Sequence, residues 1–325
     1  MNYELVDSAH YFQRFHNDVE AAQDRVHIEG MTVNDGLEMA PILESLGEKA
    51  LRSMQTRVVY DNFSWIMAYG EGINGANALR SRLHVLEGKG TDVTGTGVLR
   101  PNIFSGRHHP KVTIIDDIVY GFGGINPQSL NVPTHDYMLR AENSALADWL
   151  WDTSMERISN RKTDTHHVLN DTDEIIIDGG EKGSSSIYVA ACQLAKAADS
   201  LIYLSKLSPS GELAALLRKK KTTYITNTVR SAWSFDKLVI VLNTMTNGAY
   251  DNKYDGEDCI HAKCLIGKHP DGTLEAITGS HNFSELGVKF GTQEMALHTR
   301  DQALCRKLAA YATTTVAGIK NPSEG

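Results

Sequence analysis

Residues 109–116 read HPKVTIID and residues 123–126 read GGIN, and these two segments decide the fold. The β-branched run in the first segment predicts a buried strand. His109 and Lys111 lie two positions apart at its start, so the two-residue repeat of a strand directs both side chains to one face. An imidazole, an ammonium and the Asn126 amide together suit a phosphate group, because they supply one nucleophile or proton carrier and two groups that stabilise negative charge.

The same pattern occurs a second time. Residues 261–268 read HAKCLIGK and residues 279–282 read GSHN, which gives His261, Lys263 and Asn282 in the same order. A carboxylate follows each copy: Asp136 after the first and Glu294 after the second. Chance is a poor explanation for two copies of one ordered set, so the sequence predicts two matching half-sites.

The two copies resemble the signature of the phospholipase D superfamily, His-x-Lys-x4-Asp followed by Gly-Gly or Gly-Ser and Asn. The first copy matches fully, including Asp116 and Gly124. The second has Ser280 in the glycine-led turn but Lys268 in place of the aspartate, and Asp271 is a candidate substitute. In that superfamily the aspartate is usually structural and is not the reacting group. We therefore expect an active enzyme although the second copy lacks it. The residues of the first copy, Gly-Gly-Ile-Asn in particular, are most similar to those of cardiolipin synthase-like phosphatidyltransferases.

The resemblance implies a role for each residue of the two sets. His109 is expected to attack phosphorus and form a phosphohistidine, while His261 serves as general acid and base. The lysines and asparagines are expected to bind the non-bridging oxygens. Asp136 and Glu294 are expected to orient the histidines, either within one half or across halves. Neither a metal ion nor a cofactor is expected, since lysines supply the positive charge.

The chain is predicted to be an internal repeat of two α/β halves. We expect a first phospholipase D-like half over residues 1–159, a polar linker over 160–174 and a second half over 175–325. Each half is expected to hold a mixed, mostly parallel sheet flanked by helices, and the halves are expected to pack face to face about a pseudo-twofold axis. One pocket would then contain both His-Lys-Asn sets.

Local patterns predict the elements of each half. Helices are expected from Ser8 (as cap) to Ala22, from Asn34 to Leu46, from Ala76 to Leu86, from Ala145 to Ile158, from Ser185 to Ala198 and from Glu212 to Lys220. Strands are expected from Arg25 to Met31, Thr56 to Asp61, Asp136 to Arg140, Leu201 to Leu204 and Thr222 to Thr226. The glycine-rich segment from Gly88 to Gly97 is expected to be a loop.

The composition limits the kinds of molecule that the protein is expected to bind. The 325 residues are 41% hydrophobic and carry a net charge of −8, which is typical of a globular protein and offers no general attraction to nucleic acid. No signal peptide or membrane-spanning stretch is expected, and we expect a cytoplasmic protein, peripheral at the membrane if its substrate is a phospholipid. A nuclease using the same two sets is the alternative. One chain carries both sets, so activity does not require a dimer, and the sequence leaves the oligomeric state open.

Overall fold

The computed structural model describes residues 1–65, 73–97, 106–128, 134–159, 163–232, 237, 240–241 and 250–319. The strands of the first sheet come from the first half of the chain: β1 (Tyr3–Asp7), β2 (Arg25–Gly30), β3 (Gln55–Asp61), β4 (Asp92–Thr96), β5 (Val112–Ile115), β6 (Ile118–Gly121) and β8 (Tyr137–Glu142). Their order across this seven-stranded sheet is β1-β8-β6-β5-β2-β3-β4.

The strands of the second sheet come from the second half: β9 (Thr165–Val168), β10 (Asp173–Asp178), β11 (Ser200–Ser205), β12 (Lys221–Thr226), β14 (Cys264–Lys268), β15 (Leu274–Gly279) and β16 (Glu294–Thr299). Their order is β12-β11-β14-β15-β16-β10-β9. A third, two-stranded sheet joins β7 (Thr134–His135) of the first half to β13 (Cys259–Ile260) of the second.

Six strands of one sheet correspond to six of the other in the same spatial order. β1, β8, β6, β5, β2 and β3 match β10, β16, β15, β14, β11 and β12. β2 and β3 are parallel, as are β11 and β12, while β5 and β14 run antiparallel to β2 and β11. The predicted mixed α/β fold with two similar halves is therefore confirmed. The expectation of mostly parallel sheets is wrong: in the described residues of the two large sheets three strand pairs are parallel and nine are antiparallel, because β-hairpins such as β5–β6 and β14–β15 build the centre of each sheet. The edges differ, because β4 extends the first sheet and β9 the second.

Helices cover both sheets. Their bounds are α1 (Ser8–Ala21), α2 (Met39–Leu51), α3 (Ile73–Gly88), α4 (Ser144–Ser159), α5 (Ser186–Ala197), α6 (Gly211–Arg218), α7 (Glu285–Phe290) and α8 (Gln302–Ala310), which a π-helix (Tyr311–Val316) continues. Apolar residues of α1, α2 and α3 fill a core outside the first sheet, and those of α5 and α6 fill one outside the second. A third core is shared, because Val112, Leu139 and Ile177 of the facing sheets pack in it with Leu150 of α4 and Leu304 of α8.

Several local predictions differ from the structure. The glycine-rich segment expected as a loop contains β4, which pairs in parallel with β3 at a sheet edge. Helix α1 is capped by Asp7 rather than Ser8: Asp7 accepts a hydrogen bond from the His10 amide, while the Ser8 hydroxyl bonds to the Thr134 carbonyl. Helix α2 begins at Met39, later than expected.

The segment 160–174 contributes to the second sheet. Residues from Thr165 to Val168 form β9, which pairs antiparallel with β10, and the ring of His167 stacks on Trp149 of α4 at 3.9 Å between centroids. The end of the first half and the start of the second are therefore in direct contact. In the part of the chain that the structure describes, no helix is long and apolar enough to cross a membrane.

Candidate active site

The two His-x-Lys segments lie at equivalent places in the two sheets. His109 and Lys111 precede β5, and His261 and Lys263 precede β14. All four side chains are buried, and Lys263 is fully so. Each lysine donates a hydrogen bond from Nζ to the carbonyl oxygen of its own histidine, at 2.8 Å for Lys111 and at a shorter separation for Lys263. In both halves the lysine ammonium thus lies against the backbone of its own histidine.

The two carboxylates pair with the histidines across the halves. His109 Nδ1 lies 2.7 Å from Glu294 Oε2, and His261 Nδ1 lies 2.7 Å from Asp136 Oδ2. The sequence left open whether each carboxylate contacts the histidine of its own half or of the other, and the structure has the crossed arrangement. Each pair therefore needs both halves, and both histidines make the contact through Nδ1.

Backbone hydrogen bonds place the crossed pairs in register. The amide of His109 donates to the carbonyl of Gln293 at 3.1 Å, and the amide of His261 donates to the carbonyl of His135 at 2.9 Å. Gln293 and His135 each directly precede a pairing carboxylate. A short parallel bridge in each place, His108 with Gln293 and β13 with β7, thus joins a histidine segment of one half to a carboxylate segment of the other.

The two carboxylates are held by different groups at equivalent positions. The Gly124 amide donates to Asp136 Oδ1 at 3.1 Å, whereas the Ser280 hydroxyl donates to Glu294 Oε2. A Cβ atom on Gly124 would lie 2.6 Å from both Asp136 oxygens and from the carbonyl of His261. Glycine is therefore required at 124 for close packing. Serine at 280 instead bonds to the longer glutamate side chain.

Asn126 and Asn282 complete the two sets. Oδ1 of each asparagine is buried and, among the described residues, has no hydrogen-bond partner. A buried polar atom without a partner is uncommon in native proteins. An amide in this position can donate to an oxygen of a bound phosphate through Nδ2. Both sets supply this group, although Asn126 is buried and Asn282 is only partly buried.

Burial lowers the pKa of both histidines. The pKa of His109 falls to about 4, against the opposing effect of Glu294, and the pKa of His261 lies well below its usual value, with Lys263 adding to the effect of burial. Both imidazoles are therefore neutral near pH 7. Burial opposes ionisation of Glu294, but His109 lowers the pKa of this carboxyl to about 2. An ionised carboxylate accepts only, so His109 Nδ1 carries the proton and Nε2 presents a lone pair.

The pKa of the second carboxylate, Asp136, is shifted in the opposite direction to that of Glu294. Burial raises the pKa of Asp136 to about 6, although Lys263 and two backbone amides favour its ionised form. The pair of Asp136 and His261 consequently retains a proton at a higher pH than the pair of Glu294 and His109. The two pairs are alike in geometry and unlike in proton affinity, which is the condition for different roles in acid–base chemistry.

The pKa values of the two lysines are lowered as well. Burial lowers the pKa of Lys111 to about 7 and that of Lys263 to about 8, and the charge of Lys263 further lowers the pKa of Lys111. Lys206, beyond the end of β11, acts in the same direction on both lysines and on His261. Charges from both halves thus act on one another, so the two sets form a single site.

This tuning predicts proton uptake when an oxyanion binds. At about pH 8, Lys111 is mostly neutral and Lys263 is about half protonated, and a bound anion raises the pKa of each. We expect sulfate, which does not titrate in this range, to bind with uptake of about one proton. Calorimetry in buffers of different ionisation enthalpy measures this number. Lys111→Met should reduce it and the exposed Lys182→Met should not; the same binding enthalpy in every buffer would contradict the expectation.

Comparisons with known proteins place this geometry in a known fold. No protein-family model matches the sequence, and no curated protein sequence matches it significantly. Among solved structures, phosphatidylserine synthase from Haemophilus influenzae Rd KW20 is similar, with a TM-score of 0.73 and 12% identity over 99% of this chain and 90% of that one. Polyphosphate kinase from Porphyromonas gingivalis has a TM-score of 0.63 and 10% identity, over 95% of this chain but only 49% of the kinase. The chain has a two-half, phospholipase D-like fold.

In this phospholipase D-like fold the motif aspartate lies away from the site. Asp116 has a positive φ of 50°, and its carboxylate accepts hydrogen bonds from the amides of Gln23, Asp24 and Arg25, each within 3.0 Å. It therefore ties the β5–β6 turn to the start of β2.

The second half replaces this link with a backbone contact. The Asp199 amide donates to the carbonyl of Lys268 at 2.8 Å, so the lysine side chain is not needed for it. Asp271 instead accepts from Thr273 within its own turn. The missing aspartate is consequently a difference in how a turn is fixed, and the replacing contact involves no histidine, lysine or asparagine of the two sets.

The sequence reasoning missed a buried polar network behind His109. Glu29 of β2 accepts from His108 at 2.9 Å, from Arg157 at 2.8 Å and from His27 at 3.0 Å. His108 also bonds to the Gln293 side chain at 3.0 Å. The double histidine at 108–109 was an available signal, because adjacent residues of an extended segment point to opposite faces.

At the equivalent place behind His261 lies Asn227. Asn227 Nδ2 donates to the carbonyl of Ile260 and Asn227 Oδ1 accepts from its amide, both at 2.7 Å. The Asn227 side chain thus makes with the backbone of Ile260 the two hydrogen bonds that a neighbouring strand would make. No motif marks Asn227, since its role depends on a contact between residues distant in the chain.

Proposed function

We propose that this protein is a phospholipid phosphatidyltransferase that exchanges the alcohol on a phosphodiester through a phosphohistidine intermediate, as in the cardiolipin synthase-like reaction or in hydrolysis by a phospholipase D. The observation that carries the proposal is the pair of crossed His–carboxylate contacts beside two buried lysines. Such a site offers a nucleophile, a proton carrier and donors for a single tetrahedral phosphorus.

The first step is displacement of the leaving alcohol. The Nε2 lone pair of His109 attacks phosphorus, the P–O bond to the leaving alcohol breaks, and that oxygen takes the proton held by His261 and Asp136. The difference in proton affinity supports this assignment, because the pair containing Asp136 retains a proton at the higher pH. Lys111 and Lys263 neutralise the non-bridging oxygens, and the Asn126 and Asn282 amides donate to them.

The second step reverses the first with a new alcohol. His261 Nε2 removes the proton from the acceptor hydroxyl, that oxygen attacks phosphorus, and the P–N bond to His109 breaks. A new phosphodiester and neutral His109 result, and one proton has moved from acceptor to leaving group. If water is the acceptor, the product is phosphatidic acid. The outcome of the second step therefore depends on which hydroxyl reaches the site.

A lipid substrate is favoured over nucleic acid by two observations. A similar fold that matches over 90% of its own length is a phosphatidylserine synthase, whereas the polyphosphate kinase matches over only 49% of its own length. The net charge of −8 gives no general field for a polyanion, so any anion must rely on the local lysines.

The deciding experiment is product analysis by mass spectrometry with phosphatidylglycerol vesicles. Cardiolipin with glycerol would support cardiolipin synthase-like transfer, phosphatidic acid would support hydrolysis, and a serine-dependent product in added serine would support transfer to serine. His109→Ala is the control for each. Cleavage of a single-stranded oligonucleotide without any lipid product would refute the proposal in favour of a nuclease.

A further inference from the structure

His108 is a buried histidine directly before His109, and its ring contacts two different segments of the chain. Its Nε2 atom lies 2.9 Å from Glu29 Oε1, and its Nδ1 atom lies 3.0 Å from the side-chain oxygen of Gln293. The side-chain nitrogen of Gln293 donates to the carbonyl of Arg157 at 3.1 Å, so the orientation of this amide is set and its oxygen faces His108. Both ring nitrogens of His108 therefore face oxygen acceptors.

The acceptor at Nε2 of His108 is an ionised carboxylate. Burial opposes ionisation of Glu29, but Arg157 and the hydrogen bonds from His108 and His27 lower the pKa of this carboxyl well below its usual value. An ionised carboxylate and an amide oxygen accept hydrogen bonds and donate none. Each contact therefore needs a proton on the ring, and in this arrangement His108 is an imidazolium that donates from both nitrogens.

His27 bonds to the same carboxylate and shows the contrast. Its Nε2 atom donates to Glu29 Oε2 at 3.0 Å, whereas its Nδ1 atom has no hydrogen-bond partner among the described residues. Burial lowers the pKa of His27, so this ring is neutral and one proton on Nε2 satisfies its single contact. The number of acceptors around each ring thus distinguishes a neutral His27 from a charged His108.

The surroundings of His108 can hold a positive charge. Asp61 accepts from the His108 amide at 2.6 Å and from Arg107 at 2.8 Å, and Arg157 pairs with Glu29 at 2.8 Å. The ring also adjoins a cavity of about 310 Å³, whose lining includes Glu156 of α4, His166 and His167 of β9 and Asp178 of β10. A charged ring here is hydrogen-bonded and lies against a carboxylate, which is the condition for keeping a charge in a protein interior.

The ring of His108 also ties together the segments that bring His109 to its carboxylate. Gln293 directly precedes Glu294, whose Oε2 lies 2.7 Å from His109 Nδ1. The backbone supplies two hydrogen bonds between these segments, from His109 to Gln293 at 3.1 Å and from Gln293 to Arg107 at 2.9 Å. The bond from His108 to the Gln293 side chain is a third, and it is the one that depends on a proton of the ring.

We propose that His108 is a positioning residue, an imidazolium whose bond to Gln293 keeps Glu294 aligned with His109. At the crossing beside His261 the equivalent place is taken by a neutral asparagine amide, so this use of charge is particular to the His109 side. The effect on turnover rests on the proposed function, whereas the two protons on His108 do not.

NMR of protein labelled with ¹⁵N-histidine counts the protons on the ring. With signals assigned by their loss in His108→Gln, we expect both ring nitrogens of wild-type His108 to be protonated at the pH of the activity assay. Gln293→Met removes one acceptor and leaves Glu29 with its donors, so this variant should lose the Nδ1 proton of His108. An unprotonated ring nitrogen in wild-type His108 would overturn the inference.

The positioning role is measured at the two site histidines and on turnover. In Gln293→Met the Nδ1 proton resonance of His109, which reports its carboxylate contact, should shift, and that of His261 should not. With bis(p-nitrophenyl) phosphate, kcat should fall about 10- to 100-fold with little change in KM, because the lysines remain and only the alignment of the nucleophile changes. The matched control is His298→Gln, which removes a ring bonded to Glu275 outside the site and should change neither.

The outcomes separate this inference from the proposed function. Equal shifts at His109 and His261, wild-type kcat in both His108→Gln and Gln293→Met, or a rise in KM alone would overturn the positioning role. If His108→Gln does not fold, the signals are assigned by their shift in Gln293→Met, and that variant decides. Failure of wild type to cleave any phosphodiester would instead refute the proposed function, while the spectra still decide on His108.

Discussion

Replacing His109 or His261 with alanine is expected to lower phosphodiester turnover by about 10⁴-fold or more, because each removes a group that no neighbour replaces. Both imidazoles are buried, neutral near pH 7 and aligned by a carboxylate of the opposite half. Loss of either leaves the oxyanion site intact and the reaction without its nucleophile or its proton carrier. The control is His84→Ala, an exposed histidine of α3 with 87% of its side chain accessible.

The two histidine variants should differ with an activated substrate. With p-nitrophenolate as leaving group little acid assistance is needed, so His261→Ala should still form the phosphohistidine and then stall, while His109→Ala should form none. Rapid quenching at alkaline pH followed by mass spectrometry detects the adduct. An adduct on His261 in the His109→Ala protein would reverse the assignment. Loss of both steps in both variants together with a fall in melting temperature would indicate damage to the fold, so thermal unfolding is measured in parallel.

The residues that approach one another were predictable from the sequence to an unusual degree. The repeated order of His, Lys, Asn and acid specified which side chains belong together, and the period of a strand specified that His109 and Lys111 share a face. The crossed pairing was not predictable. It depends on how the halves pack, and a carboxylate at 136 or 294 is equally consistent with either partner until the bridges beside His109 and His261 are known.

The missed strands have a common physical cause. β4 reads DVTGT and β9 reads THHV, both polar and short, and both lie at sheet edges where one side of the strand needs no apolar partner. The hydrophobic pattern that marks a buried strand is therefore weak in each. Glu29 illustrates the opposite case: it lies in a well-predicted strand, and its burial is compensated by His27 of the same strand and by His108 and Arg157 from other segments.

Double-mutant cycles should reproduce the crossed pairing in solution. Alone, Glu294→Gln should lower turnover by about 10³- to 10⁴-fold, because a neutral amide no longer fixes the proton on His109 Nδ1 and Nε2 no longer presents its lone pair. Asp136→Asn should act in the same way on His261. The Gln302→Glu variant, at an amide that bridges Leu274 on the far side of the sheet, controls for the exchange between acid and amide.

The coupling energies are calculated from free energies of unfolding, so that they can be measured in inactive proteins. His109→Ala with Glu294→Gln should give a coupling energy of about 1–3 kcal/mol, as buried partners in contact do, and His109→Ala with Asp136→Asn should give less than about 0.5 kcal/mol. The corresponding pair for His261 should couple to Asp136 and not to Glu294. The reverse pattern, with coupling inside each half, would contradict the 2.7 Å contacts between halves and with them the requirement that both halves build each acid–base pair. Under the crossed pattern, either half alone holds a histidine without its carboxylate, which explains why the repeat functions as one site and not as two.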